Sequence, residues 1–200
     1  LSHSELLDGA AKASVTEHLE FWLAAQLSRA FSPLKALQTE GLTGAARGLA
    51  FQVAEGLGSV SRVNVADQVA VLTPLERKAL RSRGISFAAQ TIFLPRMTRP
   101  GRAALACQMW ALYHRLDPLP PSPMPGLVSV EVADGVPAGF YAAAGYRVIG
   151  DRAVRVDMLE RLDMAVRSLS KKTRIVEATP KLRAIVGCQP EPFEAVMKTI

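Results

Sequence analysis

The sequence predicts a mainly α protein: a helical array followed by a smaller α+β unit, the latter compatible with a winged-helix-like arrangement. Three observations carry this reading. Apolar residues recur at helical spacing through most of the first 116 residues. Five of the thirteen prolines fall in the ten residues Asp117-Pro-Leu-Pro-Pro-Ser-Pro-Met-Pro-Gly126, where a fixed φ and missing amides allow only extended or turned chain. Beyond that stretch, short β-branched runs alternate with helical ones. The expected division is a helical domain over 1–116, a Pro-rich linker over 117–126 and a small α+β domain over 127–200.

The elements follow in order. Ser14-x-x-Glu17 reads as a capping box ahead of Leu19, Trp22, Leu23, Leu27 and Phe31 on one helical face, with Trp22 expected as a core anchor. Ser32-Pro33 breaks or restarts that helix. Leu42, Ala46, Leu49, Ala50 and Val53 mark a second helix, in which Gly44, Ala45 and Gly48 would let a neighbour approach closely and Gly58 would act as a stop. A third helix is expected from near Asn64 to Leu72. Thr73-Pro-Leu-Glu76 starts a fourth, with cap, helix-compatible proline and reciprocal glutamate in register, ending at Gly84. Ile85 to Pro95 has the composition of a strand or extended segment, and Ala103 to Tyr113 that of a further helix. After the prolines, Leu127 to Val132 reads as a strand, Val136 to Ala144 as a short helix and Tyr146 to Ile149 as extended. A long charged helix is expected from Asp151 to Arg167, its pairs Asp151/Arg155, Asp157/Arg161 and Asp163/Arg167 each four residues apart. A strand over Thr173–Ala178, a helix from Thr179-Pro180 to Gly187 and a last helix begun by Pro190 complete the chain.

Composition bounds the function. The 200 residues are 49% hydrophobic and 21% charged, which is ordinary for a folded globular protein. The charge-free stretch Val136 to Tyr146 is broken by Pro137, Gly139 and Gly145 and is too short to cross a bilayer, so no membrane partner is expected. Residue 1 is Leu and no basic-then-apolar leader follows it; the expectation is a segment of a longer chain. Net charge is +6, from 24 Lys+Arg against 18 Asp+Glu, and seventeen of the cations are Arg. The distribution matters more than the sum. Ser61 to Leu116 holds nine basic and two acidic residues, whereas Asp117 to Gly145 holds none and three. Arginine pairs bidentately with phosphate and stacks on bases, so the basic quarter favours a polyanionic partner.

Several chemistries lack their residues. There is no G-x-x-x-x-G-K-[ST] phosphate cradle, no D-E-x-[DH] motif and no G-x-S-x-G, so a common ATP site or a nucleophile elbow is not encoded in these residues. The two cysteines, Cys107 and Cys188, lie far apart without a C-x-x-C, and His3, His18 and His114 have no ligand-like spacing to them. No metal site, catalytic residue or cofactor is expected in this segment. Two unpaired thiols suit a reducing cytoplasm.

Three blocks carry a resemblance. They are Gly44-Ala-Ala-Arg-Gly-Leu-Ala-Phe-Gln-Val-Ala-Glu-Gly-Leu-Gly58; Leu80-Arg-Ser-Arg-Gly-Ile-Ser-Phe-Ala-Ala-Gln-Thr-Ile-Phe-Leu-Pro95 with Trp110-Ala-Leu112; and Gly139-Phe-Tyr through Gly145-Tyr-Arg-Val to Arg152-Ala-Val-Arg-Val-Asp-Met-Leu-Glu-Arg-Leu162. Together they resemble the region C-terminal to the motor in alphaproteobacterial superfamily-2 RNA helicases, relatives of the mitochondrial degradosome helicase. The second block departs from that pattern at Phe87-Ala-Ala-Gln90, where Phe-Gly-Ala-Tyr is usual, so no base-stacking role is carried over. The resemblance implies two upstream RecA-like lobes that bind ATP and Mg and hydrolyse ATP, with this chain packed on them and helping to complete a channel for single-stranded RNA. It supplies no catalytic position here. Charge supplies the expected nucleic-acid contacts instead: Lys78, Arg81, Arg83, Arg96, Arg99 and Arg102 around the extended segment, and the less compensated Lys171, Lys172 and Arg174. Single-stranded RNA or DNA and the motor lobes are the expected partners. The alternative is a structural or protein-docking module without direct nucleic-acid contact.

Overall fold

The structure, a computed structural model, describes residues 8–37, 41–171 and 177–200. It divides into two compact units, residues 1–32 and 33–200. The first is a single helix, α1 (Gly9–Ala30), which begins earlier than the Ser14 box predicts because Asp8 caps it, its carboxylate accepting from the Ala11 amide at 2.7 Å. Ser14 therefore lies inside the helix. Trp22, expected in a core, is 59% exposed, and Leu19, Phe21 and Leu23 are exposed beside it.

The second unit begins at Pro33, within α2 (Ser32–Lys35), and holds the described elements that follow. After the short α2 and α3 (Gly44–Glu55), strand β1 (Ser59–Ser61) leads through a 3₁₀ turn at Arg62–Val65 into α4 (Ala66–Val71) and α5 (Pro74–Ser82). Ala46, Leu49, Ala50 and Val53 of α3 are buried where α3 packs on α4 and α5, and Gly48 leaves room for the Gln68 side chain. The extended segment expected from Ile85 onward is a hairpin, β2 (Ser86–Phe87) and β3 (Thr91–Phe93). Strand β1 adds to its other side to give the antiparallel order β1-β3-β2. Helix α3 ends at Glu55 with Gly56 as its C-cap, before the expected stop at Gly58; Gly58, at φ +107, lies where the chain turns into the sheet, and a Cβ there would meet the Met97 side chain at 2.6 Å.

Helix α6 (Pro100–Tyr113) begins before the predicted Ala103, so Arg102 lies within its first turn. The second sheet combines β4 (Ser129–Glu131), β5 (Tyr146–Ile149) and β6 (Arg152–Arg155) in the antiparallel order β4-β6-β5, with α7 (Ala138–Ala143) ahead of β5. The long helix expected from Asp151 is thus a correction: residues 152–155 pair with both neighbouring strands, and α8 runs only from Val156 to Ser170. Its charge pattern changes accordingly. Arg155 pairs with Asp157 at 2.6 Å instead of with Asp151, while Arg167 and Asp163 form the expected pair at 2.8 Å. Helices α9 (Pro180–Val186) and α10 (Pro190–Met197) close the chain, burying Leu182, Val186, Phe193 and Val196 against Leu159, Leu162 and Val154. The strand expected over Thr173–Ala178 falls largely on residues 173–176, outside the described residues.

The Pro-rich stretch does not separate one core from another. Ala103, Cys107 and Ala111 from before it share one buried cluster with Phe140, Tyr146 and Ala153 from after it. The stretch itself lies on α6: Gln108 Nε2 donates to the Pro120 carbonyl at 2.8 Å and to Ser122 Oγ at 3.0 Å. Helices α6 and α7 meet at Gly139, where an added Cβ would lie 2.3 Å from Trp110 Cζ2. Among the described residues no helix is long and apolar enough to cross a membrane.

Gly139→Ala is expected to destabilise the protein by about 1–3 kcal/mol, because the indole must be displaced from a packed site. Gly101→Ala, in the same pair of helices but with nothing within 4 Å of its added Cβ, should be neutral or stabilising by up to about 1 kcal/mol. Urea unfolding of the two variants checks the contrast.

Candidate nucleic-acid interface

The first group of cations stands on α5 and the ends of the β2–β3 hairpin. Helix α5 is fixed by a complete capping box: Thr73 Oγ1 accepts from the Glu76 amide at 3.2 Å and Glu76 Oε2 accepts from the Thr73 amide at 2.9 Å. That backbone hydrogen bond from Thr73, helped by the one from its hydroxyl, holds the Glu76 carboxyl below its ordinary range. Leu80 is fully buried beneath the helix, which leaves Lys78 and Arg81 exposed. Arg77 is engaged differently: it caps the end of α4, Nη2 donating to the Val69 carbonyl at 2.5 Å and Nε to that of Leu72 at 3.4 Å. Arg77 and Arg81 also stand over the Phe87 ring, 5.9 and 5.7 Å from its centroid. The Phe87 face is thereby met by guanidinium groups of its own chain.

Strand register gathers the next cations. Ser86 opposes Phe93, so the chain entering β2 and the chain leaving β3 lie at the same end of the hairpin, and with them Arg83 and Arg96. Arg102 joins this end by donating from Nη1 to the Arg96 carbonyl at 3.3 Å. Arg83 Nη1 donates to the Ala79 carbonyl at 3.2 Å. Arg99 is the N-cap residue of α6, a helix with no acidic residue in its first turn, so the positive end of the helix dipole adds to the arginines' charge there. Lys78, Arg81, Arg96 and Arg99 are exposed, and none forms an ion pair with a described carboxylate. Six of the nine expected contacts are therefore distributed over one stretch of α5, hairpin and α6 start.

The remaining three are placed elsewhere. Lys171 follows α8, a helix about 22 Å long whose other end, Val156, packs on Ala88 and Phe93. Lys172 and Arg174 lie outside the described residues.

A second cationic group has no signature in the sequence. Arg62 from the 3₁₀ turn, Arg147 from β5 and Arg167 from α8 line one cavity of about 340 Å³, together with Ser61 and Gln90. The three lie 85 and 20 residues apart in sequence order, and no spacing rule connects them; only the approach of α8 to the turn at Ala88–Thr91 does so. Arg167 had a sequence signal of the opposite kind, its pairing with Asp163.

Both cysteines are free and buried, and burial pushes the Cys107 thiol up. Comparison of the chain with protein-family models, curated proteins and solved structures returns no match.

Two outcomes are expected. A thiol reagent should modify Cys107 and Cys188 in the folded protein only at the rate of opening, and quickly in urea, as followed by mass spectrometry. Since the Glu76 carboxyl is held down in the folded state, its stabilising contribution is present above the ordinary value of 4.5 and is lost as pH falls through the lowered one. The gap in melting temperature between wild type and Glu76→Gln should accordingly shrink on acidification below about pH 4.5.

Proposed function

We propose that this chain is the non-catalytic C-terminal accessory region of an ATP-dependent RNA helicase, one that binds single-stranded nucleic acid and packs on the motor lobes. The observation that carries the reading is the exposed, unpaired set Lys78, Arg81, Arg96 and Arg99 disposed about the β2–β3 hairpin. Cations without carboxylate partners release condensed counterions when a phosphate backbone replaces solvent around them, and this is the main source of sequence-tolerant affinity. The resemblance of the three sequence blocks supplies the parentage. ATP and Mg belong to the upstream lobes in this reading, and no residue here is assigned to them. A cytoplasmic location follows from the same reading and from the two unpaired thiols.

A second reading, a docking module without nucleic-acid contact, is favoured by one feature. The apolar side chains Leu19, Phe21, Trp22 and Leu23 of α1 are exposed, as a protein partner would require.

Filter binding of labelled single-stranded RNA at several salt concentrations separates the two. Changing Arg81, Arg96 and Arg99 together to Ala should weaken binding and reduce the slope of log affinity against log salt by about 2, at about 0.7 per lost phosphate contact on a single strand. Trp22→Ala should leave both unchanged. Absence of binding at low salt, or a slope indifferent to the three arginines, would leave the docking reading in possession.

A further inference from the structure

The cavity lined by Arg62, Arg147 and Arg167 is separate in its residues from the α5–hairpin–α6 surface, and two of its three cations have no carboxylate partner among the described residues. Arg62 Nη1 donates to the Ala88 carbonyl at 2.9 Å, and Arg147 Nη1 donates to Gln90 Oε1. Both acceptors are neutral. Both guanidinium groups are half-buried, so each has given up hydration without gaining a counter-charge among the described residues. Two carboxylates lie nearby, one paired within the group and one bonded to backbone. Asp163, buried, pairs with Arg167 Nε, and Glu160 Oε2 accepts from the Ala89 amide at 3.2 Å. Arg167 meets Asp163 through Nε and is 65% exposed, so it stands at the solvent side.

The arginines are also held in place before any ligand arrives. Gln90 donates from Nε2 to the Thr199 carbonyl while accepting from Arg147, so the C-terminal turn fixes the amide that fixes the guanidinium. Each described bond uses a single nitrogen per arginine, leaving the rest of each planar fork for another acceptor. Three partly used forks around one concave space call for an acceptor with more than two oxygens and more charge than a carboxylate carries, which is the chemistry of phosphate. The volume, about 340 Å³, falls within the roughly 300–1,000 Å³ of small-molecule pockets, so the phosphate can bring a nucleoside-sized group with it.

We propose that Arg62, Arg147 and Arg167 form an anion site that takes a phosphate group, presented either by the backbone of a single strand or by a free nucleotide. The site does not depend on the helicase reading.

Calorimetric titration of the full 200-residue chain with three probes tests it: inorganic phosphate, a nucleoside monophosphate, and a short single-stranded oligoribonucleotide without terminal phosphates. Arg62→Gln and Arg167→Gln, each retaining a side-chain donor, should weaken the binding of whichever probes bind about tenfold or more, as loss of a charge-assisted hydrogen bond does. Binding of the oligonucleotide alone identifies a strand backbone, and binding of the monophosphate identifies a free nucleotide; either supports the site. Dicarbonyl modification of wild-type arginines, read by mass spectrometry, gives a measure that no variant's folding can obscure: a bound probe should slow modification at Arg62 and Arg167. Absence of protection, or affinities unmoved by both substitutions, overturns the proposal. If the Arg81/Arg96/Arg99 triple variant loses RNA while the monophosphate still protects Arg62, the two sites are independent. If the triple variant binds RNA as wild type does and the Arg62 and Arg167 variants do not, the surface reading fails and the cavity stands.

Discussion

The contact of α7 with α6 is the constraint on which the rest of the second unit rests. Gly139 lies so close to the Trp110 indole that no side chain fits between them, and Cys107 and Ala111 meet Phe140 within the same cluster. Close packing of this kind fixes the second sheet against the helical region, since Phe140, Tyr146 and Ala153 belong to one core with residues of α6. Tyr146 adds a polar tie, its hydroxyl donating to the Leu127 carbonyl at 2.7 Å. Once that sheet is seated, β5 and the start of α8 lie beside the β2–β3 turn, and Val156 packs on Ala88 and Phe93. The arginine-lined cavity is a consequence of this seating, because its three cations come from a turn in the first half, a strand in the second and the helix that follows it.

The electrostatics of the unit divide along the same lines. On α8 two of the three carboxylates pair with arginines, Asp157 with Arg155 and Asp163 with Arg167, and the third, Glu160, accepts from the Ala89 amide. Around α5 and the start of α6 they are scarce: Glu76 is held by Thr73, and α6 has no acid in its first turn. Arg77, at the end of α4, bonds to carbonyls instead. A carbonyl satisfies geometry without cancelling charge, so the positive potential survives folding and remains for a polyanion. Arg77 shows that a cation in a basic segment can still be mainly structural.

Some of this was legible in the residues. The Thr73-Pro-Leu-Glu76 start, the Thr179-Pro180 start and the helix-favouring Pro190 are local devices, and each stands where an amide needs a partner or proline's φ suits the first turn. The extended character of Ile85 to Pro95 was legible too. Its partner β1 was not, since the alternation of Ser-Val-Ser is too short to distinguish three residues from a loop. The reading of residues 151–155 as helix failed for a related reason. Arg-Ala-Val-Arg satisfies a helical charge spacing as well as a strand pattern, and two flanking strands decided in favour of β6.

By itself the sequence determined the mainly α class, most helix positions and the concentration of positive charge in one quarter of the chain, because caps, apolar periodicity and composition act over a few residues. It also contained Arg62, Arg147 and Arg167 without any sign that they belong together. Tertiary structure decided that the prolines lie along α6 instead of separating two cores, that Trp22 is exposed, and that three distant arginines line one space. Those outcomes depend on which surfaces exclude water from one another, and that is a property of packed elements, settled only when helices and sheets meet.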